Sequence, residues 1–303
     1  MSSKWLRRRP GLEWLEGRLV MNAGASAGTI GSASGSIARP NSVAEIALAV
    51  TPGHLTHRGD GTLLALTAGP AIGSSLVPAI VSTAGPSGGR LPLRLGTKFD
   101  PGLHPRARAY TRDSRAGPLT VGVAGRDGTT GPFDLAAALP GDINGDGHVD
   151  AADERAFASA FNSHRGDANY LPSADANGNG YVGIGDARLL LRNLAPLGPK
   201  VPLKIHVMLS PADVLHDPSL SVSGGLTRHP DVTILGRTTP GAILLVDEAS
   251  NFLFRDAAVV VGPDGHFTLR VHLINKSTSI DFLALDPFGQ QYVHVLPILI
   301  RTY

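Results

Sequence analysis

Two short stretches of the chain place oxygen-bearing side chains at every second position and then end on an acid. The first is "DINGDGHVDAAD" (142–153), and the second is "DANGNGYVGIGD" (175–186). Ca²⁺ is a hard cation that takes about six to eight oxygen ligands, and a flexible loop supplies them from positions 1, 3, 5, 7, 9 and 12. The alternation and the terminal acid therefore predict two calcium sites.

The first loop offers three direct acid ligands, an amide, a main-chain carbonyl and one acid that acts through water. These are Asp142, Asn144, Asp146, the carbonyl of His148, Asp153 and, through water, Asp150. The second loop offers two acids, two amides and a carbonyl, which are Asp175, Asn177, Asn179, the carbonyl of Tyr181 and Asp186. The alternative is a pair of Asx-rich turns that hold no ion, but it leaves the acid at position 12 unexplained.

Glycine and valine at the remaining loop positions support the same interpretation. Gly147 and Gly180 occupy position 6, where the chain bends sharply and a positive φ is needed. Val149 and Val182 at position 8 face away from the ion, so we expect them to pack against each other.

Each loop runs directly into an apolar pattern of helical spacing. The predicted apolar stripes are Ala156, Phe157, Ala160 and Phe161 after the first loop, and Leu189, Leu190 and Leu194 after the second. No comparable pattern precedes either loop, so the predicted unit is a loop followed by a helix, repeated once. A module of about 55 residues buries little apolar area. We therefore expect chelation to melt it while the rest of the chain stays folded.

Residues 141 to about 198 resemble a type I dockerin, a duplicated loop–helix calcium module that attaches extracellular proteins to cohesin domains. The aspartates at position 12, Asp153 and Asp186, are the residues that dockerins use there. In that family, loop positions 10 and 11 dominate partner recognition. Here those positions hold unmatched small residues, Ala151 and Ala152 in one loop and Ile184 and Gly185 in the other. The resemblance leaves two roles open: attachment to a cohesin-like or other cell-surface protein, and a structural role within the chain.

Short strand-like runs bounded by Gly, Pro and Asp lie on both sides of this module. The runs are 62–68, 76–82, 91–96 and 119–125 before it, and 203–209, 242–247, 257–262, 266–273 and 279–286 after it. Strands at this spacing predict β-sandwiches. The predicted fold is therefore a mainly β, multidomain chain: a β-sandwich, a small α calcium module and an immunoglobulin-like β-sandwich. The predicted boundaries are a basic leader with flexible linker at 1–40, then domains at 41–139, 140–198 and 199–303.

Two further resemblances favour an extracellular setting. Residues 205–303, through "GRTTPGAILLVD", "VGPDGHFTLRVHL" and "IDFLALDPFGQ", resemble a bacterial immunoglobulin-like domain of cell-surface proteins. The arginine-rich stretch "KWLRRRPGLEWLEGRLVM" (4–21) resembles the leader of planctomycete surface proteins. Both resemblances imply a location outside the cell or at its surface.

Composition narrows the function classes. The net charge of +2 argues against a nucleic-acid partner, and no apolar run approaches the roughly 18 residues of a membrane span. The absence of cysteine excludes disulfides and thiolate chemistry. Because no nucleophile–base pattern stands out, we expect a non-catalytic, calcium-binding extracellular protein. The alternative is an accessory component of polysaccharide breakdown that docks to a cohesin or binds a glycan.

Overall fold

The computed structural model describes residues 29–55, 61–95, 106–197, 199–214, 225–248, 253–273 and 277–300. The arginine-rich stretch at 4–21 lies outside these residues. Nearly all of the predicted strand runs coincide with observed strands, as the bounds below show.

The N-terminal half folds into two sheets that face each other across one core. Its strands are β1 (Thr29–Ile37), β2 (Val43–Val50), β3 (Thr62–Pro70), β4 (Pro78–Ala84), β5 (Leu93–Leu95), β6 (Ala107–Asp113), β7 (Gly117–Gly125) and β8 (Gly131–Ala138). The order is β1-β8-β3-β6-β5 in one sheet and β2-β7-β4 in the other. Alternate apolar residues of both sheets, such as Leu66, Val121 and Phe133, fill the core between them. We call this unit the N-terminal sandwich.

Strand β1 corrects one expectation from the sequence. Residues 29–37 fall in the segment predicted to be flexible, yet they pair along most of their length with β8. Small side chains permit this pairing, because a Cβ at Gly35 would lie 2.6 Å from the ring of Phe133. The prediction of a flexible linker up to residue 40 is therefore wrong from residue 29 onward.

The C-terminal third also forms two facing sheets, and we call it the C-terminal sandwich. Its strands are β9 (His206–Leu209), β10 (Leu226–Thr227), β11 (Asp231–Arg237), β12 (Ile243–Asp247), β13 (Ala257–Val260), β14 (His266–His272), β15 (Ser277–Leu285) and β16 (Gln291–Ile300). The sheets have the orders β10-β16-β15-β12-β13 and β14-β11-β9. Strands β12 and β15 are antiparallel neighbours at the centre of the larger sheet.

The central strands of the larger sheet, β12 and β15, are buried on both faces. Leu244 and Phe282 point into the core that the two sheets share. The residues in between belong to a different apolar cluster, which also contains the helices between the two sandwiches. These outward-facing residues, here called the outer face, are Ile243, Leu245, Leu283 and Leu285.

Between the sandwiches the described residues contain two α-helices, α1 (Ala151–Ala160) and α2 (Ile184–Leu191). They follow the two predicted loops, as expected. Phe157, Ala160 and Phe161 of the first stripe are buried. In the second stripe Leu190 and Leu194 are buried as expected, and Leu191 is buried where Leu189 was expected. Among the described helices none is long and apolar enough to cross a membrane.

Candidate calcium site

The first loop is closed by Asp153, which lies in the first turn of α1. One of its carboxylate oxygens accepts the backbone N–H groups of Ile143 and Asn144, at 2.7 and 3.1 Å. The other accepts the N–H of Asp150 at 2.9 Å. The acid at position 12 thus ties the start of the loop to the start of the helix.

Asp142, at position 1, organises the bend of the same loop. Its two oxygens accept the N–H groups of Gly145 and Gly147, at 2.8 and 3.0 Å. Gly147 has a φ of 89°, as its place at the predicted bend requires. Asp150, predicted to act through water, accepts the N–H of Ala152 at 2.7 Å and so caps α1.

The second loop repeats most of these contacts, although its position-1 acid accepts from position 5 where that of the first loop accepts from position 4. Asp186 accepts the N–H groups of Asn177 and Gly183, both at 2.9 Å, and closes the loop onto α2. Asp175 accepts the N–H groups of Asn179 and Gly180, at 3.0 and 2.8 Å. The two sequence repeats are therefore also structural repeats.

Positions 3 and 5 form a smaller hydrogen-bonded turn in each loop. Asn144 Oδ1 accepts the N–H of Asp146, and Asn177 Oδ1 accepts that of Asn179. The side chains at position 5 then accept the N–H groups of His148 and Tyr181, both at 2.9 Å. All predicted side-chain ligands thus lie in two compact loops, with positions 1 and 12 buried and position 5 exposed.

Burial makes it costly for the aspartates of these loops to carry a negative charge. Asp142 and Asp153 are at most 3% exposed, and burial raises the pKa of both carboxyls. Burial likewise raises the pKa of Asp186 to about 6. The exposed Asp146 differs, since the N–H of His148 holds its pKa below the usual value. Buried carboxylates of this kind need a counter-charge, and a bound dication would supply it.

The oxygen ligands of the loops suit a hard cation such as Ca²⁺, and they differ from metal sites built from several converging acids or histidines. Within the described ranges no three Asp, Glu or His side chains converge as a metal-holding group. The loops instead combine acids with amide oxygens and with the carbonyls of His148 and Tyr181, as calcium loops do. Carboxylate oxygens that accept a single N–H, such as Asp142 Oδ1 and Asp153 Oδ2, keep a second lone pair for an ion. Calcium bound here would draw both ends of each loop together and fix the start of each helix.

Comparison with known families decides what this arrangement is. Residues 140–195 match the dockerin type I domain. Such domains bind calcium and dock to cohesin-type proteins, typically outside the cell or at its surface. A search of the curated proteins finds no match to the chain.

The dockerin domain has an internal backbone pairing in addition to the predicted packing of its two loop valines. Val149 and Val182 are both buried in the same apolar cluster. The backbone of Val182, however, pairs with the segment after α1: its N–H donates to Ser163, and its carbonyl accepts from Asn162, both at 2.9 Å. The second loop is therefore anchored on the end of the first helix.

Asn193, just after α2, attaches the dockerin domain to the N-terminal sandwich. Its fully buried amide accepts the N–H of Leu63 at 2.9 Å and donates to the Leu63 carbonyl at 3.0 Å. It also donates to the carbonyl of Pro140 at 2.9 Å. The pairing of β8 with β3 ends at Ala65, so the Asn193 amide continues the sheet's hydrogen bonds where β8 leaves it. The sequence did not predict this role, because a single asparagine after a leucine-rich helix belongs to no recognisable pattern.

A second attachment joins the second loop to the N-terminal sandwich. Arg108 of β6 donates to the carbonyl of Ala176 at 2.7 Å. Tyr170, in the linker between the repeats, donates to Asp175 at 2.6 Å and orients this position-1 ligand. Neither residue was predicted, because both act from outside the twelve-residue pattern.

On its other side the dockerin domain packs against the C-terminal sandwich. Phe157, Leu190 and Leu194 share one buried cluster with the outer face of the larger sheet. Arg255 lies over the Tyr181 ring, 5.8 Å from its centre, and Arg188 donates to Gln291 at 3.1 Å. The dockerin domain therefore contacts both sandwiches.

The positions that guide partner choice in this family lie at the starts of the helices. Ala151 and Gly185 are exposed, whereas Ala152 and Ile184 are half-buried. Ile184 packs against the cluster shared with the C-terminal sandwich. One of the four positions is thus engaged within the chain.

Proposed function

We propose that this chain is a non-catalytic, calcium-binding extracellular protein in which the dockerin domain joins two β-sandwiches. The observation that carries the proposal is the apolar cluster formed jointly by the dockerin helices and the outer face of the C-terminal sheet. An apolar helix face that packs against another domain of the same chain holds the two domains together. The two loops supply the calcium dependence of this joint, since they fix the N-terminus of each helix that contributes to it.

Small-angle scattering of the full chain tests this role. With calcium the chain should be compact, and chelation should increase its radius of gyration as the joint loosens. The double variant Asp153→Asn, Asp186→Asn should resemble the chelated chain even in calcium. The variant Asp264→Asn, which removes an exposed acid outside the two loops, is the matched control. A radius that does not change on chelation would contradict the proposal.

Docking to a cohesin-type partner is the second candidate, and the family match favours it. The exposed residues Ala151 and Gly185 leave part of each helix start accessible. Capture of the full chain by immobilised cohesin domains, in calcium and not in chelator, would support it. An accessory role in polysaccharide breakdown extends this candidate. Retention of the chain on insoluble polysaccharide would test that extension.

A further inference from the structure

Two buried aspartates face each other on the outer face of the C-terminal sheet, away from both dockerin loops. Asp247 ends β12, and Asp281 lies directly opposite it on β15. Each continues the alternation of the outer-face leucines, Leu245 and Leu283, so both carboxylates lie on the same side of the sheet. Each aspartate is 1% exposed.

Asp281 has no partner for its charge among the described residues. Neither of its carboxylate oxygens has a hydrogen-bond donor. A buried carboxylate without a hydrogen bond costs several kcal/mol unless a proton or a cation neutralises it. Directly opposed like charges on neighbouring strands add to that cost.

The surroundings favour a cation over a shared proton. Asp247 accepts the N–H of Leu253 at 2.8 Å, so one of its oxygens already serves as an acceptor. Two further acids, Glu248 and Asp256, lie at the same end of the sheet, where the Glu248 N–H donates to Asp256. The basic side chain nearest in sequence, Arg255, is directed at the Tyr181 ring instead. His272 lies close enough to Glu248 to offset part of its charge, but one shared proton would neutralise only a single carboxylate of the facing pair.

We propose that Asp247 and Asp281 bind a hard divalent cation such as Ca²⁺ between β12 and β15, at a site separate from the dockerin loops. Carboxylate oxygens are the ligands such ions prefer, and carbonyl oxygens and water complete their shells. Burial, together with the charge of Asp247, raises the pKa of Asp281, which agrees with a carboxylate that lacks its counter-ion. The ion would stabilise the sheet at the edge of its contact with the dockerin domain.

Two isosteric variants of the full chain test the site, Asp281→Asn and Asp247→Asn. At saturating calcium each should bind one ion fewer than the wild type, measured by elemental analysis after equilibrium dialysis. The control is Asp286→Asn, an equally buried aspartate whose oxygens accept from Phe288 and Gln290. It should bind as many ions as the wild type. Asp153→Asn in the first loop should remove an ion independently, so the two losses should add.

Thermal unfolding separates the cation from a shared proton. With a bound cation, Asp281→Asn melts below the wild type in calcium but above it in excess chelator, because the amide removes an unpaired buried charge. With a shared proton, the variant melts at or above the wild type in both conditions and the number of bound ions does not change. That second pattern would overturn the proposal, as would an unchanged ion count in both variants.

Discussion

The two predicted calcium loops differ in charge at position 5, which is Asp146 in the first and Asn179 in the second, and at position 9, which is Asp150 and Gly183. The side chain at position 5 makes the same contact in both loops, since it accepts the N–H of position 7 at 2.9 Å. The additional negative charge of the first loop should therefore decide the ranking, and that loop should bind calcium more tightly. Calorimetry of Asp146→Asn and Asn179→Asp should show the first variant weakening the tighter phase and the second strengthening the weaker one. The ranking is wrong if Asn179→Asp leaves both phases unchanged.

Asn193 offers a second test at the scale of one residue. Asn193→Ala leaves the N–H and carbonyl of Leu63 buried without partners, and each such group costs about 1–3 kcal/mol. We expect a loss of at least about 2 kcal/mol in the free energy of unfolding, measured in urea. The control is Asn169→Ala, whose exposed amide makes one long bond, 3.3 Å, to Ser159. Equal effects of the two variants would contradict the assigned role.

At the scale of elements, substitutions on the two faces of β12 should differ in their effect on calcium binding. Leu245 belongs to the cluster shared with the dockerin helices, whereas its neighbour Leu244 belongs to the sandwich core. Truncation to alanine at either position should cost about 2–5 kcal/mol. Only Leu245→Ala should also weaken calcium binding and reduce the hydrogen-exchange protection of α1. If Leu244→Ala weakens calcium binding equally, the outer face has no special link to the loops.

Strands β9 and β16 carry a pH-dependent interaction. Burial, followed by the charge of His206, lowers the pKa of His294 below its usual 6.5. The folded state therefore binds fewer protons than the unfolded state between the two pKa values, so stability falls as pH drops below 6.5. His206→Gln should make the urea midpoint fall less steeply between pH 8 and pH 5. An unchanged slope would show that this histidine pair does not contribute.

At the scale of the whole molecule, chelation should reach beyond the dockerin domain. The sequence alone predicts that this domain melts by itself. The shared apolar cluster changes that expectation, because the C-terminal sheet loses the covering of its outer face when the helices melt. Excess chelator should therefore lower the unfolding temperature of the C-terminal sandwich as well as abolish the helix signal in circular dichroism. If chelator abolishes the helix signal but leaves the unfolding temperature of the C-terminal sandwich unchanged, the dockerin domain melts by itself, as the sequence predicts.

The loops could be predicted from sequence because their geometry is local. Alternating oxygen ligands, the glycine of the bend and the terminal acid all lie within twelve residues, and the hydrogen bonds run between those same residues. The strand runs were found for the same reason, since alternation is a short-range pattern. Contacts between domains, such as that of Asn193 with Leu63, join residues more than a hundred positions apart. They produce no periodic pattern in the sequence. The unbroken apolar run "AILLV" (242–246) was a sign in the sequence of a strand covered on both faces.

The outer face also bears on solubility. Its four branched side chains form a continuous apolar surface on the central strands of a sheet. When uncovered, such a surface favours self-association of neighbouring chains. Calcium depletion should therefore have a colloidal consequence, in which light scattering rises with protein concentration in chelator and stays flat in calcium. In that case the dockerin domain would protect the C-terminal sheet from aggregation as long as calcium is bound.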